Sequence, residues 1–199
     1  MTAAAPIAGS RVRPFPGQRR SGDGVFARTT EDVLWAGVVD ALGHGPEAAD
    51  TADAVLGWLA SRDLAADLDP LDLLADLHRA QRGGRGAAVT LAKVTAAGKV
   101  RVAGIGNVQA RLIGPTRTKT FLCQDGNLGH GEPPLRGQSA TMTPGESLLI
   151  SSDGVRSRFD ASDIRGFHLT RPEALAALIV RQHGKAHDDA SALVIRLPR

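Results

Sequence analysis

The pattern of apolar and polar positions along the chain defines two kinds of segment, one that predicts strands and one that predicts helices. Short apolar runs bounded by charged or turn residues predict buried strands, and they cover residues 33–40, 87–94, 100–105, 108–113, 146–152 and 190–197. Apolar residues at helical spacing predict three amphipathic helices, one beginning at Pro46, one after Pro70 and one over 173–183. Proline suits the first turn of a helix because its missing N–H has no partner there.

The order of these elements predicts an α+β layered sandwich, because strands occur in groups and helices in pairs rather than in strict alternation. Turn residues at 97–98 and 104–107 separate three successive strands and indicate an antiparallel meander. Residues 122–138 are rich in Gly and Pro and predict an irregular, flexible flap.

The N-terminal residues 1–20, rich in Ala, Pro, Gly and Arg, predict a loose arm that leads into an edge strand. The remaining residues, 21–199, contain no repeat and no linker, and predict a single domain. Cys123 is the only cysteine, so no internal disulfide forms, and we interpret this residue as structural. No apolar run approaches a membrane span and no signal peptide is evident, so we expect a cytoplasmic protein without membrane contact.

A net charge of +3 and an isoelectric point of about 9.6 raise the question of nucleic-acid binding. The basic residues are scattered, tyrosine is absent, and the few aromatic residues do not lie among the arginine groups. A platform for stacking bases is therefore unsupported. We interpret the positive charge as a solvated arginine-rich surface and expect no nucleic-acid partner.

Four aspartate clusters each adjoin the end or the start of a predicted strand. They are Ser21-Gly22-Asp23, the stretch from Asp40 to Gly45, Ser151-Ser152-Asp153-Gly154 and His187-Asp188-Asp189. Each alone is typical of a turn. Together they indicate a carboxylate site at one sheet edge, where the charges repel each other unless a divalent cation neutralises them. Oxygen ligands favour Mg²⁺ or Mn²⁺, and no Cys or His pair has the spacing of a zinc site.

The order of these motifs resembles that of the PPM (type 2C) metal-dependent protein phosphatases. Gly-Asp is followed by Asp-x-x-Gly-x-Gly and a helix, then by Ser-Asp-Gly, and then by Asp-Asp before a final strand. Residues 39–48, VDALGHGPEA, are similar to the most specific motif of the bacterial branch that includes SpoIIE and RsbX, and residues 104–112, GIGNVQARL, look like the RsbX subgroup. The resemblance implies a four-layer sandwich of two antiparallel sheets flanked by helices.

The resemblance also implies roles for particular residues around two Mn²⁺ or Mg²⁺ ions. Asp40 would bridge the ions, the carbonyl of Ala41 would complete one coordination shell, and Asp153 and Asp188 would hold the second ion. Asp23 would bind a coordinated water. Asp40 and Asp153 are thus the expected catalytic residues, and Asp189, Gly43 and His44 would support the ligands from behind.

Three positions depart from the family pattern. Gly22 stands where many members have Glu, and Leu42 stands where the family has a histidine proposed as general acid. His44 lies two residues further on, and a surface histidine is the simpler interpretation. Asn107 replaces an aspartate linked to a third metal, so we expect two ions. The phosphate-binding arginine of some family members has no clear match here; Arg19 and Arg20 lie nearby in the sequence, and we interpret them as solvated charge.

Three hypotheses for function follow. The first is a phosphoserine/phosphothreonine protein phosphatase, acting as a monomer on a STAS-domain regulator in a bacterial stress-signalling circuit. The second is a phosphatase-like docking module of a signalling complex with weak or no catalysis, suggested by the missing Glu and His. The third is a two-metal hydrolase of small phosphoesters, which no nucleotide-binding motif supports.

Overall fold

The computed structural model describes residues 4–198, which form ten strands and three α-helices. The strands are β1 (Ile7–Arg13), β2 (Asp23–Thr30), β3 (Val33–Ala41), β4 (Ala87–Thr95), β5 (Lys99–Ile105), β6 (Gln109–Ile113), β7 (Thr118–Phe121), β8 (Gly137–Thr141), β9 (Ser147–Ser151) and β10 (Ala190–Arg196). The helices are α1 (Pro46–Ala60), α2 (Pro70–Ala80) and α3 (Pro172–His183), with a short 3₁₀ turn at Ala161–Asp163. Each α-helix has proline in its first turn; this was predicted for Pro46, whereas α2 and α3 were expected to begin after Pro70 and at Glu173.

Two five-stranded antiparallel sheets lie face to face. One has the order β1-β10-β9-β6-β7 and the other the order β2-β3-β4-β5-β8. Val38, Leu148 and Leu193 belong to the apolar layer between the sheets. Helices α1 and α2 cover the outer face of the second sheet, and α3 covers the outer face of the first. The predicted four-layer α+β sandwich is therefore confirmed.

Burial on both faces explains why the central strands are almost continuously apolar. Strands β3, β4 and β10 lie between a helix layer on one side and the opposing sheet on the other. A strand in that position has no solvent-facing side, so the alternation of a surface strand gives way to an unbroken apolar run. Among residues 4–198, no helix is both long enough and apolar enough to cross a bilayer.

The predicted meander is wrong at its third strand. Strands β4 and β5 form a hairpin, but β6 crosses to the other sheet and pairs with β7 and β9. The chain makes this crossing at Gly106, whose φ of 88° lies in the left-handed region. A Cβ at this position would lie 2.5 Å from the Cβ of Ala88, so only glycine fits.

The predicted loose arm is wrong for residues 7–13, which form β1 and pair with β10 along its whole length. Gly9 makes this possible because a Cβ there would lie 2.0 Å from the backbone nitrogen of Glu173. The strand thus packs directly against the start of α3. The edge strand expected after the arm is confirmed as β2, which is the outer strand of the other sheet. Residues 1–3 of the arm lie outside the described residues.

The predicted flap, residues 122–138, has an irregular backbone as expected, apart from the start of β8. It is nevertheless attached to the fold: Leu128 is buried in the core beneath α1 and α2, and its N–H donates to the carbonyl of Ala87 at 2.8 Å. This attachment places residues 125–127 beside the ends of β3 and β4, where the aspartate clusters lie.

We expect Glu146, in the turn before β9, to contribute to stability in a pH-dependent way. Its nearly buried carboxylate accepts hydrogen bonds from Arg117 Nε at 2.6 Å and from the Thr143 N–H at 2.7 Å. The Arg117 guanidinium lowers the pKa of Glu146 below its ordinary 4.5. A carboxyl group with a lowered pKa stabilises the folded protein at pH values above its ordinary pKa, and this stabilisation is lost as the pH falls through the folded-state pKa.

Glu146→Ala should therefore lower the free energy of unfolding by about 1–3 kcal/mol at neutral pH, measured by urea denaturation. The difference should shrink below pH 4.5. The control is Glu132→Ala, which removes an exposed ion pair with Arg82 and should cost at most about 0.5 kcal/mol. Equal losses in the two variants, or a Glu146→Ala loss that persists in acid, would contradict this assignment.

Candidate metal and phosphate site

The four aspartate clusters meet at one end of the sandwich. Asp23 begins β2 and Asp40 lies directly opposite it in the antiparallel register of β2 and β3. In the other sheet, Asp153 follows the end of β9 and Asp189 precedes β10, and these two strands are neighbours. Asp40 is close enough to Asp23, Asp153 and Asp188 for each of their charges to act on it.

Burial and like charge together disfavour ionisation of these carboxyls. Burial, followed by the charges of Asp23, Asp153 and Asp188, raises the pKa of Asp40 to about 8. Burial is also the main cause that raises the pKa of Asp23 to about 7. The pKa of Asp188 is raised by burial and then by Asp153. A cation placed among the carboxylate oxygens stabilises the ionised form of all these aspartates.

The carboxylate cleft is the cavity of about 480 Å³ at this end of the sandwich, lined by Asp40, His44, Asn107, Asp125, Asp153 and Asp188 among others. Asp23 lies behind it and is 5% exposed. Its Oδ2 accepts a hydrogen bond from Ser152 Oγ at 2.6 Å, and Ser152 Oγ in turn accepts from the Ser191 N–H at 3.0 Å. This chain of contacts ties Asp23 of one sheet to β9 and β10 of the other.

Two residues that sequence reasoning missed contact the aspartates of the first sheet. Lys185 Nζ lies 3.8 Å from an oxygen of Asp153 and 3.8 Å from an oxygen of Asp188. Asn107 Nδ2 donates to Asp153 Oδ2 at 2.8 Å. The sequence identifies Asn107 only as the replacement of a third-metal ligand and gives no sign of its contact with Asp153. Lys185 belongs to no recognisable motif, and its only signal is its place three residues before Asp188.

Asp189 turns away from the cleft and secures the N-terminal segment. It is 4% exposed. Its carboxylate accepts hydrogen bonds from the Phe15 N–H at 2.7 Å, Ser21 Oγ at 2.9 Å and the Gly22 N–H at 3.1 Å. Adjacent side chains entering a strand point to opposite sides, so Asp188 lines the cleft while Asp189 holds the loop that carries Asp23.

The turn between β3 and α1 brings backbone to the cleft wall. Gly43 and Gly45 have φ of 82° and 85°, a conformation that glycine adopts without strain. Arg85 fixes this turn by donating to the carbonyl of Leu42 at 2.6 Å, and it pairs with Glu47 on α1. Sequence reasoning grouped Arg85 with other surface arginines and missed this contact.

The remaining expected residues lie as follows. Ala41 ends β3, and its N–H donates to the carbonyl of Gly22 at 2.9 Å. The His44 ring stacks on Phe15 with a centroid distance of 4.3 Å. Arg20 pairs with Asp50 and Asp53 on α1, as expected of solvated surface charge. Cys123 contacts the carbonyl of Val108 at 3.1 Å and the hydroxyl of Thr90 at 3.2 Å, and burial raises the pKa of its thiol.

The donor chemistry of the cleft fits a hard divalent cation. Its donors are carboxylate and backbone oxygens, and Mg²⁺ and Mn²⁺ prefer such ligands. Within the described residues, no three His, Cys, Asp or Glu side chains already stand at the spacing of a formed metal site. A bound cation would neutralise carboxylates that otherwise repel each other.

The two adjacent aspartates provide a test of this arrangement. We expect Asp188→Asn to lose most of the Mn²⁺ affinity, because its side chain lines the cleft. Asp189→Asn should lower the affinity by about 10- to 100-fold, as for groups that orient ligands, and should also lower the melting temperature of the metal-free protein. Calorimetric Mn²⁺ titration of both variants measures this, and a larger loss of affinity for Asp189→Asn would reverse the assignment.

Comparison with known proteins gives a consistent picture. The family model of Stage II sporulation protein E (SpoIIE) matches residues 30–198. A structure from work on the bacterial stressosome, described as a modular system adapted to control secondary messenger signalling, is 27% identical with a TM-score of 0.85, covering 96% of this chain and 99% of that one. Among curated protein sequences, none matches this chain.

Two further solved structures share the fold. RsbX in complex with magnesium is 19% identical with a TM-score of 0.82, covering 100% of this chain and 98% of that one. The phosphatase domain of SpoIIE from Bacillus subtilis, with a fragment of its regulatory domain, is 15% identical with a TM-score of 0.79, covering 99% of this chain and 65% of that one. At these identities the likeness concerns the fold.

Proposed function

This chain belongs to the SpoIIE family, a bacterial branch of the PPM phosphatases, and we propose that it is a metal-dependent phosphoserine and phosphothreonine protein phosphatase. The observation that carries the proposal is the convergence of Asp40, Asp153 and Asp188 at one cleft with Asp23 directly behind it, where the charges of the other three act on Asp40. All four come from one chain, so a monomer contains the whole site.

The family resemblance assigns the residues that would hold two Mn²⁺ or Mg²⁺ ions, and three of them, Asp40, Asp153 and Asp188, line the cleft. Asp40 stands between the two sheets and would bridge the ions, with the carbonyl of Ala41 beside it. Asp153 and Asp188 would hold the second ion, and Asp23 would act through a bound water. When bound, the metals supply positive charge for the phosphoryl oxygens and a water of lowered pKa.

The other polar side chains of the site then position the aspartates and do not themselves react with the phosphoryl group. Asn107 orients Asp153, Ser152 orients Asp23, and Asp189 fixes the loop before Asp23. Cys123 is engaged with Val108 and Thr90, so it offers no nucleophile. Leu42, in the turn between β3 and α1, has no proton to donate. His44 lies in the same turn at the cleft wall, where its ring stacks on Phe15. This arrangement agrees with direct attack by water and no phosphoenzyme.

For the substrate we propose a phosphorylated STAS-domain regulator of a bacterial stress-signalling circuit. The support is the family match together with the 27% identical stressosome structure. The test is phosphate release from a STAS-domain protein phosphorylated on serine, compared with a phosphotyrosine peptide and with p-nitrophenyl phosphate, in the presence of Mn²⁺.

We expect fast release from the phosphorylated STAS-domain protein and slow release from the phosphotyrosine peptide. Faster turnover of p-nitrophenyl phosphate than of any phosphoprotein would instead support a hydrolase of small phosphoesters. Tight binding of the phosphoprotein without phosphate release would support a docking module.

A further inference from the structure

A second cleft adjoins the carboxylate cleft on the side of β9. This basic cleft has a volume of about 540 Å³, and its lining includes Asn107, Gln109, Asp153, Arg156, Arg158 and Lys185. Asn107 and Asp153 line both clefts. A ligand whose reacting group lies at the aspartates can therefore extend directly into the basic cleft.

The loop that carries Arg156 and Arg158 is anchored from beneath. Buried Arg111 on β6 donates to the carbonyls of Ser157 at 3.1 Å and Phe159 at 3.0 Å. Its guanidinium also lies 4.4 Å from the centroid of the Phe159 ring, and that ring stacks on His183. A buried arginine is costly unless such contacts compensate it, and here these contacts tie the loop to β6 and to the end of α3.

The backbone of this loop is also paired with the segment that carries Lys185. The Arg156 N–H donates to the carbonyl of His183 at 2.9 Å, and the Lys185 N–H donates to the carbonyl of Gly154 at 2.7 Å. Val155 and Gly184 form an antiparallel bridge between the two segments. These bonds fix the backbone positions from which Arg156 and Lys185 project, and the Arg111 contacts with Ser157 and Phe159 flank Arg158.

The two arginines of the cleft lack acidic partners. Arg156 and Arg158 are exposed, and within residues 4–198 neither forms an ion pair. Other arginines near the carboxylate cleft are engaged: Arg20 pairs with Asp50 and Asp53, and Arg85 pairs with Glu47. Two unpaired guanidinium groups on an anchored loop form a ready site for carboxylates, which they can bind through paired hydrogen bonds.

We propose that the basic cleft binds acidic residues that flank the phosphorylated side chain in the protein substrate, with Arg156 and Arg158 as the specificity-determining residues. The inference rests on the proposed phosphatase function and adds its substrate class: phosphoproteins with Asp or Glu beside the phosphorylated residue. Positive charge next to a carboxylate-rich cleft would also attract and orient such a segment before it reaches the aspartates.

The test uses two fluorescein-labelled phosphoserine peptides of equal length, one with four Glu residues beside the phosphoserine and one with Gln in their place. The proteins are the wild type, the double variant Arg156→Gln/Arg158→Gln, and a control, Arg79→Gln/Arg181→Gln. The control removes the same net charge from exposed positions on α2 and α3. Fluorescence anisotropy gives Kd without turnover, and phosphate release in Mn²⁺ gives kcat/KM for each peptide.

The wild type and the control should both prefer the Glu peptide, by about 10-fold in Kd and in kcat/KM. The double variant should lose this preference, so that the ratio between the two peptides approaches one. A ratio that is unchanged in the double variant, or that falls equally in the control, would overturn the proposal. A polyanion such as single-stranded DNA that binds more tightly than the Glu peptide through these arginines would also overturn it.

The phosphatase function and the binding of acidic residues by the basic cleft are contradicted by different outcomes. Absence of phosphate release by the wild type from either peptide would contradict the phosphatase function, whereas anisotropy would still report the peptide preference. Rapid release without any difference between the peptides would contradict the basic cleft as a docking site and leave the phosphatase function standing.

Discussion

Replacement of Asp40 by Asn should abolish nearly all metal-dependent phosphate release while the fold persists. Asp40 lies opposite Asp23 and within the electrostatic reach of Asp153 and Asp188, so it is the carboxylate best placed to bridge two ions. Metal ions supply several kcal/mol of transition-state stabilisation. Loss of about 4 kcal/mol corresponds to a fall of about 1000-fold in turnover.

The same variant should be more stable than the wild type in the absence of metal, although it loses activity. Burial and neighbouring charge raise the pKa of Asp40 to about 8. The folded protein then binds this proton more tightly than the unfolded chain does, so stability falls as the pH rises from the ordinary value of 3.8 towards 8. In EDTA at a pH near 8, Asp40→Asn should therefore melt at a higher temperature than the wild type.

Added Mn²⁺ should reverse that order, because the wild type gains stability from the ion and the variant does not. The matched control is Asp67→Asn, at an exposed position, which should leave both turnover and melting temperature unchanged. A folded Asp40→Asn protein with near-normal turnover would contradict the bridging role. A lower melting temperature than the wild type in EDTA would contradict the electrostatic account of the cleft.

Replacement of Gly154 by Ala should have the largest effect on folding. A Cβ at this position would lie 1.7 Å from the carbonyl oxygen of Asp189 and 2.8 Å from its carbonyl carbon. Both atoms belong to backbone at the start of β10, which cannot move without disturbing its hydrogen bonds. We expect a loss of at least about 3 kcal/mol in the free energy of unfolding, measured by urea denaturation.

Gly57→Ala is the control for this prediction. Gly57 lies inside α1 with open space where the Cβ would project. Alanine there should raise the free energy of unfolding by up to about 1 kcal/mol, since glycine is the weaker helix former. A Gly154→Ala protein as stable as the wild type would contradict the close approach of Gly154 to the backbone of Asp189.

Much of the fold was predictable because its strands are buried on both faces. Strands β3, β4 and β10 appear in the sequence as apolar runs, and a proline followed by apolar residues at helical spacing predicts the helices. Strand β1 was missed because it is largely exposed and mixes apolar, polar and glycine residues, so it contains no apolar run. The crossing of β6 to the other sheet was missed because a Gly-rich connection serves a hairpin and a crossing equally well.

The site was partly predictable for a different reason. The aspartates proposed as metal ligands lie at or beside strand ends, so short motifs such as Ser151 to Gly154 identify them locally. The contacts of Lys185 with Asp153 and Asp188, and of Arg85 with the carbonyl of Leu42, depend on side chains brought together only by the fold. Long, flexible side chains without a motif give no sequence signal for such contacts.

The most direct test of the central claim, that the converging aspartates form a metal-dependent phosphatase site, is one titration. The initial rate of phosphate release from a phosphoserine protein is measured as free Mn²⁺ is raised from an EDTA-buffered start, for the wild type and Asp40→Asn. The account predicts no release by the wild type in EDTA, a saturable rise with Mn²⁺, and no rise for Asp40→Asn. Release by the wild type that is independent of Mn²⁺, or an equal rise in the variant, would contradict it.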